Sequence, residues 1–282
     1  MNEFFLRWQH LPEDIDPVFL SLGAFQIRYY GLMYLCAILV FYALARYRIT
    51  KESKAYSLSL IDDYLSWGII GVLFGARLGY VLFYNLNYYL SQPLEIFWPV
   101  HTSGGEVTFG ISGLSYHGGL VGVILATWLF CRRRKIDALA FVDFLVPAAP
   151  LGYMFGRIGN FLNSELFGRV TTSRWGMYFP TAPSYELRHP SQLYEAFFEG
   201  LVLFLLLWGL RKKGLFPGAL LAVYLMGYAF VRFFIEYLRE PDEQIGFVFN
   251  SLSMGQMLCL VMFLSGFWFY IHRQNKEKVH GS

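Results

Sequence analysis

The chain has 282 residues, of which 56% are hydrophobic, 20% aromatic and only 15% charged, with a formal net charge of +3. Ordinary soluble domains carry about 25% charged residues, and here the apolar residues come in long blocks, so a single water-soluble domain is excluded as a reading. Three scattered cysteines, Cys36, Cys131 and Cys259, form neither a disulfide framework nor a CxxC pattern.

The first twenty residues, MNEFFLRWQHLPEDIDPVFL, are acidic and lack the basic start and apolar core of a signal peptide. Residues 1–28 are expected to form an outer, interfacial arm. Crossing the hydrocarbon takes about 20 helical residues, and seven segments approach that length. They are Tyr29 to Ala45, Asp63 to Tyr84, Leu114 to Phe130, Ala138 to Leu162, Leu193 to Leu210, Pro217 to Tyr237, and Leu252 to Ile271. The fold expected is all-α, with a seven-helix membrane domain over residues 29–271 and a basic tail over 272–282.

Most of the chain's 23 Lys and Arg fall in four short runs: RYRITKESK, CRRRK, RKK and the C-terminal tail. They alternate with loops that contain no lysine, namely Asn85 to Gly113, Asn163 to Gln192 and Leu238 to Ser251. The positive-inside rule makes the basic runs cytoplasmic. With seven spans the N-terminus is then outside and the C-terminus in the cytoplasm. Short basic runs beside membrane helices do not indicate nucleic-acid binding. No histidine pair has metal-ligand spacing, and no glycine-rich phosphate loop is present. Neither a metal nor a cofactor is expected.

A charge inside a bilayer costs about 2.5–3.5 kcal/mol on insertion scales, yet Arg77, Arg157 and Arg232 all lie within predicted spans. Guanidinium groups bind phosphate or carboxylate in two-point fashion. Three of them toward the outer leaflet point to an anionic headgroup, or else to buried pairing for packing alone. Helical spacing puts Arg157, Asn160 and Ser164 on one face with Glu165 beside it, and Gly152, Gly156 and Gly159 on another flank. Gly71, Gly75 and Gly79 repeat the small-residue pattern in the second span. Tyr228, Arg232 and Glu236 line a face of the sixth span, and Glu195 and Glu199 in the fifth are available as partners for the arginines. His117, between glycines at the outer start of the third span, is a group able to move a proton, or an interfacial histidine bonded to a loop. His189 and Ser191 read as structural, with Ser191 a cap for the fifth helix. Tyr30 reads either as a hydrogen-bonding group in a cavity or as an interface anchor.

These residues fit an enzyme acting on a phospholipid: arginine to hold phosphate, histidine to take a proton. They do not name the nucleophile. A transporter would need an internal repeat or paired broken helices, and neither is visible. A structural membrane protein, or a transferase for some other headgroup, are the remaining alternatives.

The stretch GRIGNFLNSELFG, Gly156 to Gly168, resembles the signature of the bacterial prolipoprotein diacylglyceryl transferases at every fixed position. RYYGLMYL, LFGARLGYVLFYN, LSYHGG, RHPSQLYE, GYAFVRFFIEYLREPD and SMGQ resemble further family segments in the same order. The resemblance implies transfer of the diacylglyceryl group from phosphatidylglycerol to the lipobox cysteine thiol of a preprolipoprotein. It also implies a bacterial cytoplasmic (inner) membrane location, with the site toward the outer side. By the same resemblance Arg157 and Arg232 engage the headgroup, and His117 acts as base, a role that a tyrosine, a glutamate or arginine-favoured thiol ionisation shares as an alternative. Tyr30, Asn160, Glu165, Gly168, Tyr228 and Glu236 are implied to shape the substrate site, to which Arg77 is added as a phosphate-side arginine. A monomer is expected. Ser112, Leu114 and Tyr116 depart from the usual family spelling before His117, which puts the shape of that loop in question.

Overall fold

A computed structural model of the protein describes residues 3–22, 25–52, 55–96, 100–103, 106–109, 113–240, 247–248 and 252–280. The chain is mostly helical; helices lie in all seven of the expected segments with adjusted ends, and α1 and α4 are additional to them. In chain order they are α1 (Glu3–His10), α2 (Tyr29–Tyr47), α3 (Leu58–Tyr84), α4 (Leu86–Ser91), α5 (Tyr116–Arg134), α6 (Ala138–Leu145), α7 (Ala149–Leu162), α8 (Ser191–Glu195), α9 (Leu203–Leu210), α10 (Ala219–Ile235) and α11 (Met254–His280). Among the described residues, five continuous helical stretches are long and apolar enough to cross a membrane: Tyr29–Glu52, Leu58–Tyr84, Ala138–Leu162, Ser191–Leu210 and Met254–Val279. Ala219–Ile235 is apolar but shorter, and α5 carries Arg132, Arg133 and Arg134 in its last turn. Those arginines suit the negative end of the helix dipole but dilute its apolar stretch.

The structure is not purely helical. Val18–Leu22 (β1) and Phe25–Arg28 (β2) form an antiparallel ribbon, as do Val100–Ser103 (β3) with Glu106–Phe109 (β4), and Phe247–Val248 (β5) with Leu252–Ser253 (β6). All three lie in segments that connect helices. There the backbone has no helix to satisfy it, and pairing strands supplies the missing hydrogen bonds.

Two helical rods contain irregular turns. Pro147 and Pro150 remove backbone donors from the α6–α7 rod, and a 3-10 turn, Val146–Ala148, takes up the break. Between α8 and α9, Ala196–Val202 is a π-helical turn, a feature that concentrates at functional sites.

The chain forms two compact units. One comprises residues 46–141. In it α3 and α5 pack backbone to backbone: a Cβ on Gly75 would lie 2.6 Å from Gly122 Cα, and one on Gly71 would lie 2.6 Å from Ala126 Cβ. The glycine repeat expected to allow close helix contact does so here. Deeper along the same pair, Tyr64 and Thr127 share a hydroxyl hydrogen bond of 2.9 Å among Phe130 and Phe141, both buried. Ile70, Leu73, Phe74, Leu82 and Phe83 on α3 are exposed. An apolar face of that length needs surroundings other than water.

The other unit comprises residues 1–45 and 142–282. One of its cores joins Val146, Leu203, Leu207 and Leu220, with Tyr224 and Tyr228 packed against them. A second, built on Phe161, Met177 and Phe179, is covered by Trp8 and Ile15 of the N-terminal arm. Trp8 and Ile15 thus tie the N-terminal arm to this core. Asp143 on α6 accepts from the backbone N–H groups of Gly218 and Leu221 at 2.8 Å each and of Leu220 at 3.3 Å. A half-buried carboxylate thus supplies the N-terminal cap that α10 lacks in its own sequence.

Candidate functional site

The large unit holds a knot of arginines and carboxylates contributed by α7, α8, the π-helical turn, α10 and the turn that follows α10. Its hub is Glu195, at the end of α8, whose side chain has no solvent exposure. Arg157 Nε lies 2.7 Å from Glu195 Oε2, and Arg232 Nη1 lies 3.2 Å from the same oxygen. Arg239 Nη1 reaches the other oxygen at 2.6 Å. Glu199 stands 3.8 Å from Arg232 Nη1. Glu236 Oε2 lies 3.3 Å from Arg232 Nη2 and 3.4 Å from Arg239 Nε. Three cations thus face three carboxylates, which is how charge becomes tolerable away from water.

Tyr153, one turn before Arg157, stitches the knot together. Its hydroxyl accepts from Arg157 Nε at 2.7 Å and lies 2.5 Å from Glu199 Oε2 and 3.2 Å from Glu195 Oε2. Its ring packs edge-on against Tyr228, with centroids 5.9 Å apart. The guanidinium of Arg157 sits 4.9 Å above the Tyr153 ring. The knot is not sealed: the side chains of Arg157, Arg232 and Arg239 each keep 15–16% of their surface exposed.

The signature stretch folds back onto this knot. The helical face drawn through Arg157, Asn160 and Ser164 is cut short, because α7 ends at Leu162. Ser164 and Leu166 instead take left-handed conformations, with φ of 54° and 57°, uncommon for residues with a side chain. Three long-range donors hold the turn in place. Thr181 Oγ1 donates to the carbonyl of Ser164, Gln192 Nε2 to that of Glu165 at 2.7 Å, and Ser191 Oγ to that of Leu166 at 3.0 Å. Ser191 is therefore a clamp on the signature turn and not the cap of the fifth helix, where Pro190 occupies the cap position. The turn returns Glu165 to Asn160, whose Nδ2 donates to Glu165 Oε1 at 2.8 Å while its Oδ1 accepts from Arg157 Nη1 at 3.3 Å. Arg157, Asn160 and Glu165 thus form one chain of contacts.

Tyr30 joins from α2. A Cβ on Gly159 would stand 3.3 Å from its ring and 3.2 Å from Met33, and Gly152 faces Ala37. Gly156 faces open space, so the glycine flank of α7 meets α2 at two points and not three. The Tyr30 hydroxyl is 3.0 Å from that of Tyr34. Gly168 lies where two backbones converge: its N–H donates to the His189 carbonyl at 2.8 Å, and a side chain there would meet His189 Cβ at 2.9 Å. The structural reading of His189 fits this place. Its half-buried imidazole is pushed below its ordinary pKa by desolvation, which favours the neutral ring.

The smaller unit carries Arg77 and His117. Arg77 is buried and donates to backbone carbonyls: Nε to Ile96 at 2.5 Å, Nη2 to Glu95 at 2.8 Å and Nη1 to Gly113 at 3.3 Å. Its guanidinium also lies 4.9 Å above the Tyr89 ring. It organises the segment following α3. His117 is exposed in the first turn of α5, whose start is capped by Ser115. Ser112, and with it part of the departure from the family spelling, lies outside the described residues.

Sequence reasoning overlooked Arg239 and Tyr153. Both were findable from spacing: Arg239 is three residues after Glu236 and Tyr153 four before Arg157, so each prolongs a face already recognised. Among the described residues no group of three or more His, Cys, Asp or Glu side chains is arranged to hold a metal ion.

Guanidinium and carboxylate groups gathered inside an apolar helical body define a multi-pass membrane protein with a polar interior. The comparisons are more specific. A family model described as prolipoprotein diacylglyceryl transferase matches residues 17–272. A protein of Chlorobaculum tepidum named phosphatidylglycerol–prolipoprotein diacylglyceryl transferase is 53% identical over 267 residues, 94% of this chain and 92% of that one. Proteins of the same name from Campylobacter lari and Nitratidesulfovibrio vulgaris are 43% and 44% identical, covering 96% and 92% of this chain and 98% and 94% of theirs. The chain belongs to the prolipoprotein diacylglyceryl transferase family.

Proposed function

We propose that the chain transfers the diacylglyceryl group of phosphatidylglycerol to the lipobox cysteine of a preprolipoprotein. The cysteine thiolate attacks the glyceryl carbon that bears the phosphate ester. A carbon–sulfur bond forms, the carbon–oxygen bond breaks, and glycerol phosphate departs with the bonding electron pair. The thiol proton passes to a base, for which His117 is the candidate. Arg157 and Arg232 hold the phosphate and stabilise the charge that grows on it. Asn160, Glu165, Tyr228 and Glu236 orient those arginines, Tyr30 and Gly168 shape the walls, and Arg77 serves through the loop it fixes.

The observation that carries this reading is that Arg157 and Arg232 share one oxygen of Glu195 while each keeps an exposed edge. The two guanidiniums are already preorganised around a single oxyanion, the geometry a phosphate requires. Family membership supplies the substrates, since relatives at 43–53% identity carry phosphatidylglycerol and prolipoprotein in their names.

The same reading places the protein in the bacterial inner membrane as a monomer with seven spans, α5 and α10 completing the count. The N-terminus and the site face outward and the C-terminus faces the cytoplasm, which accords with the basic runs. The decisive assay supplies phosphatidylglycerol and a lipobox peptide to the purified protein and follows peptide mass. The peptide is expected to gain one diacylglyceryl group, and its Cys→Ser version none. Equal labelling of the serine peptide, or no gain at all, refutes the proposal.

A further inference from the structure

The segment SMGQ, Ser253 to Gln256, opens α11 and touches the arginine knot from outside it. Gln256 N–H donates to Ser253 Oγ at 3.1 Å, and Ser253 N–H donates to Gln256 Oε1 at 3.0 Å. This is a reciprocal capping box. Because Oγ accepts from Gln256, its single proton is directed elsewhere, and it goes to Glu236 Oε1 at 3.0 Å. Gly255 leaves room for that carboxylate: a Cβ there would lie 2.6 Å from Oε1. Glu236 is thus gripped at one oxygen by a neutral donor. Its other oxygen stands 3.3 Å and 3.4 Å from Arg232 and Arg239, longer than the 2.7–2.9 Å usual for charge-assisted hydrogen bonds.

We propose that Ser253 is a positioning residue, whose hydroxyl anchors Glu236 and keeps it from closing a two-point clamp on Arg232. The inference rests on the reading that Arg232 receives the lipid phosphate. With the anchor in place, Arg232 is oriented by a carboxylate but not consumed by one, and an edge of the guanidinium stays available to a phosphate oxygen. Without it, Glu236 swings both oxygens onto Arg232, and an incoming phosphate must displace a paired carboxylate.

The test measures binding of dioctanoyl phosphatidylglycerol to the full-length protein in detergent by calorimetry, which needs no turnover. Ser253→Gly removes the hydroxyl while glycine still serves tolerably at a helix start. It is expected to weaken binding about tenfold, equivalent to about 1.4 kcal/mol. Ser253→Thr restores the hydroxyl and is expected to bind within about twofold of the wild type. Gln256→Met breaks the reciprocal cap but leaves the hydroxyl on Glu236, so it lowers the melting temperature without weakening lipid binding. Wild-type affinity in Ser253→Gly overturns the inference alone. So does an equal loss in Gln256→Met, since the effect then belongs to the helix start. A wild-type protein that does not prefer phosphatidylglycerol to phosphatidylcholine removes the phosphate site itself, and the inference with it.

Discussion

Replacing Glu195 with Gln tests whether the arginine knot is held by charge or only by shape. The amide has nearly the volume of the carboxylate, so packing is preserved. What vanishes is the anion on which Arg157, Arg232 and Arg239 converge at 2.7, 3.2 and 2.6 Å. Removing one partner of a buried ion pair costs about 3–5 kcal/mol. The partial exposure of the three arginines favours the lower figure, about 3 kcal/mol, because solvent screens part of the unpaired charge. At roughly 2 °C per kcal/mol for a protein of this size, the melting temperature should fall by roughly 6 °C. Glu199 provides the internal comparison. It accepts from Tyr153 at 2.5 Å and meets Arg232 only at 3.8 Å, and an amide can still accept from the tyrosine. Glu199→Gln should therefore cost about 1 kcal/mol. Thermal unfolding in detergent, paired with the peptide transfer assay, ranks the two. A Glu195→Gln protein that melts no lower than Glu199→Gln and transfers normally refutes the claim that Glu195 is the hub.

If His117 takes the thiol proton, His117→Gln should slow transfer and alter its pH–rate profile. An unchanged profile removes His117 as the base. Asp143→Asn turns an amide toward N–H groups that need an acceptor, so it should lower stability by about 1–2 kcal/mol. Transfer at low temperature should persist in that variant, and its loss would tie the α10 cap to the chemistry. A single cysteine at Lys213 should resist impermeant thiol reagents applied to intact cells; labelling from outside would reverse the proposed orientation.

Much of the site could be read from spacing. Tyr228, Arg232 and Glu236 recur every fourth residue, and that register alone predicts a shared face, which the Arg232–Glu236 pair realises. Glu195 and Glu199 were the natural acidic partners, being the ionisable groups of a neighbouring apolar segment. Arg239 escaped notice because it follows the apolar run, where an arginine reads as an ordinary interfacial charge. The left-handed turn at Ser164 and Leu166 was hidden for a different reason. Neither residue favours that conformation locally, and the donors that impose it come from distant segments. The strand ribbons were equally obscure, since short aromatic stretches such as VFLSL and FQIR serve an interfacial helix, loop or strand alike.

The clamps on the signature turn also constrain how the protein can be made. Their donors follow their acceptors by 17, 25 and 27 residues. While the ribosome is still completing the preceding helix, nothing yet exists to pull Ser164 and Leu166 into shape. The signature stretch can mature only once Gln192 has emerged, so the most diagnostic part of the sequence is finished late, by residues synthesised after it.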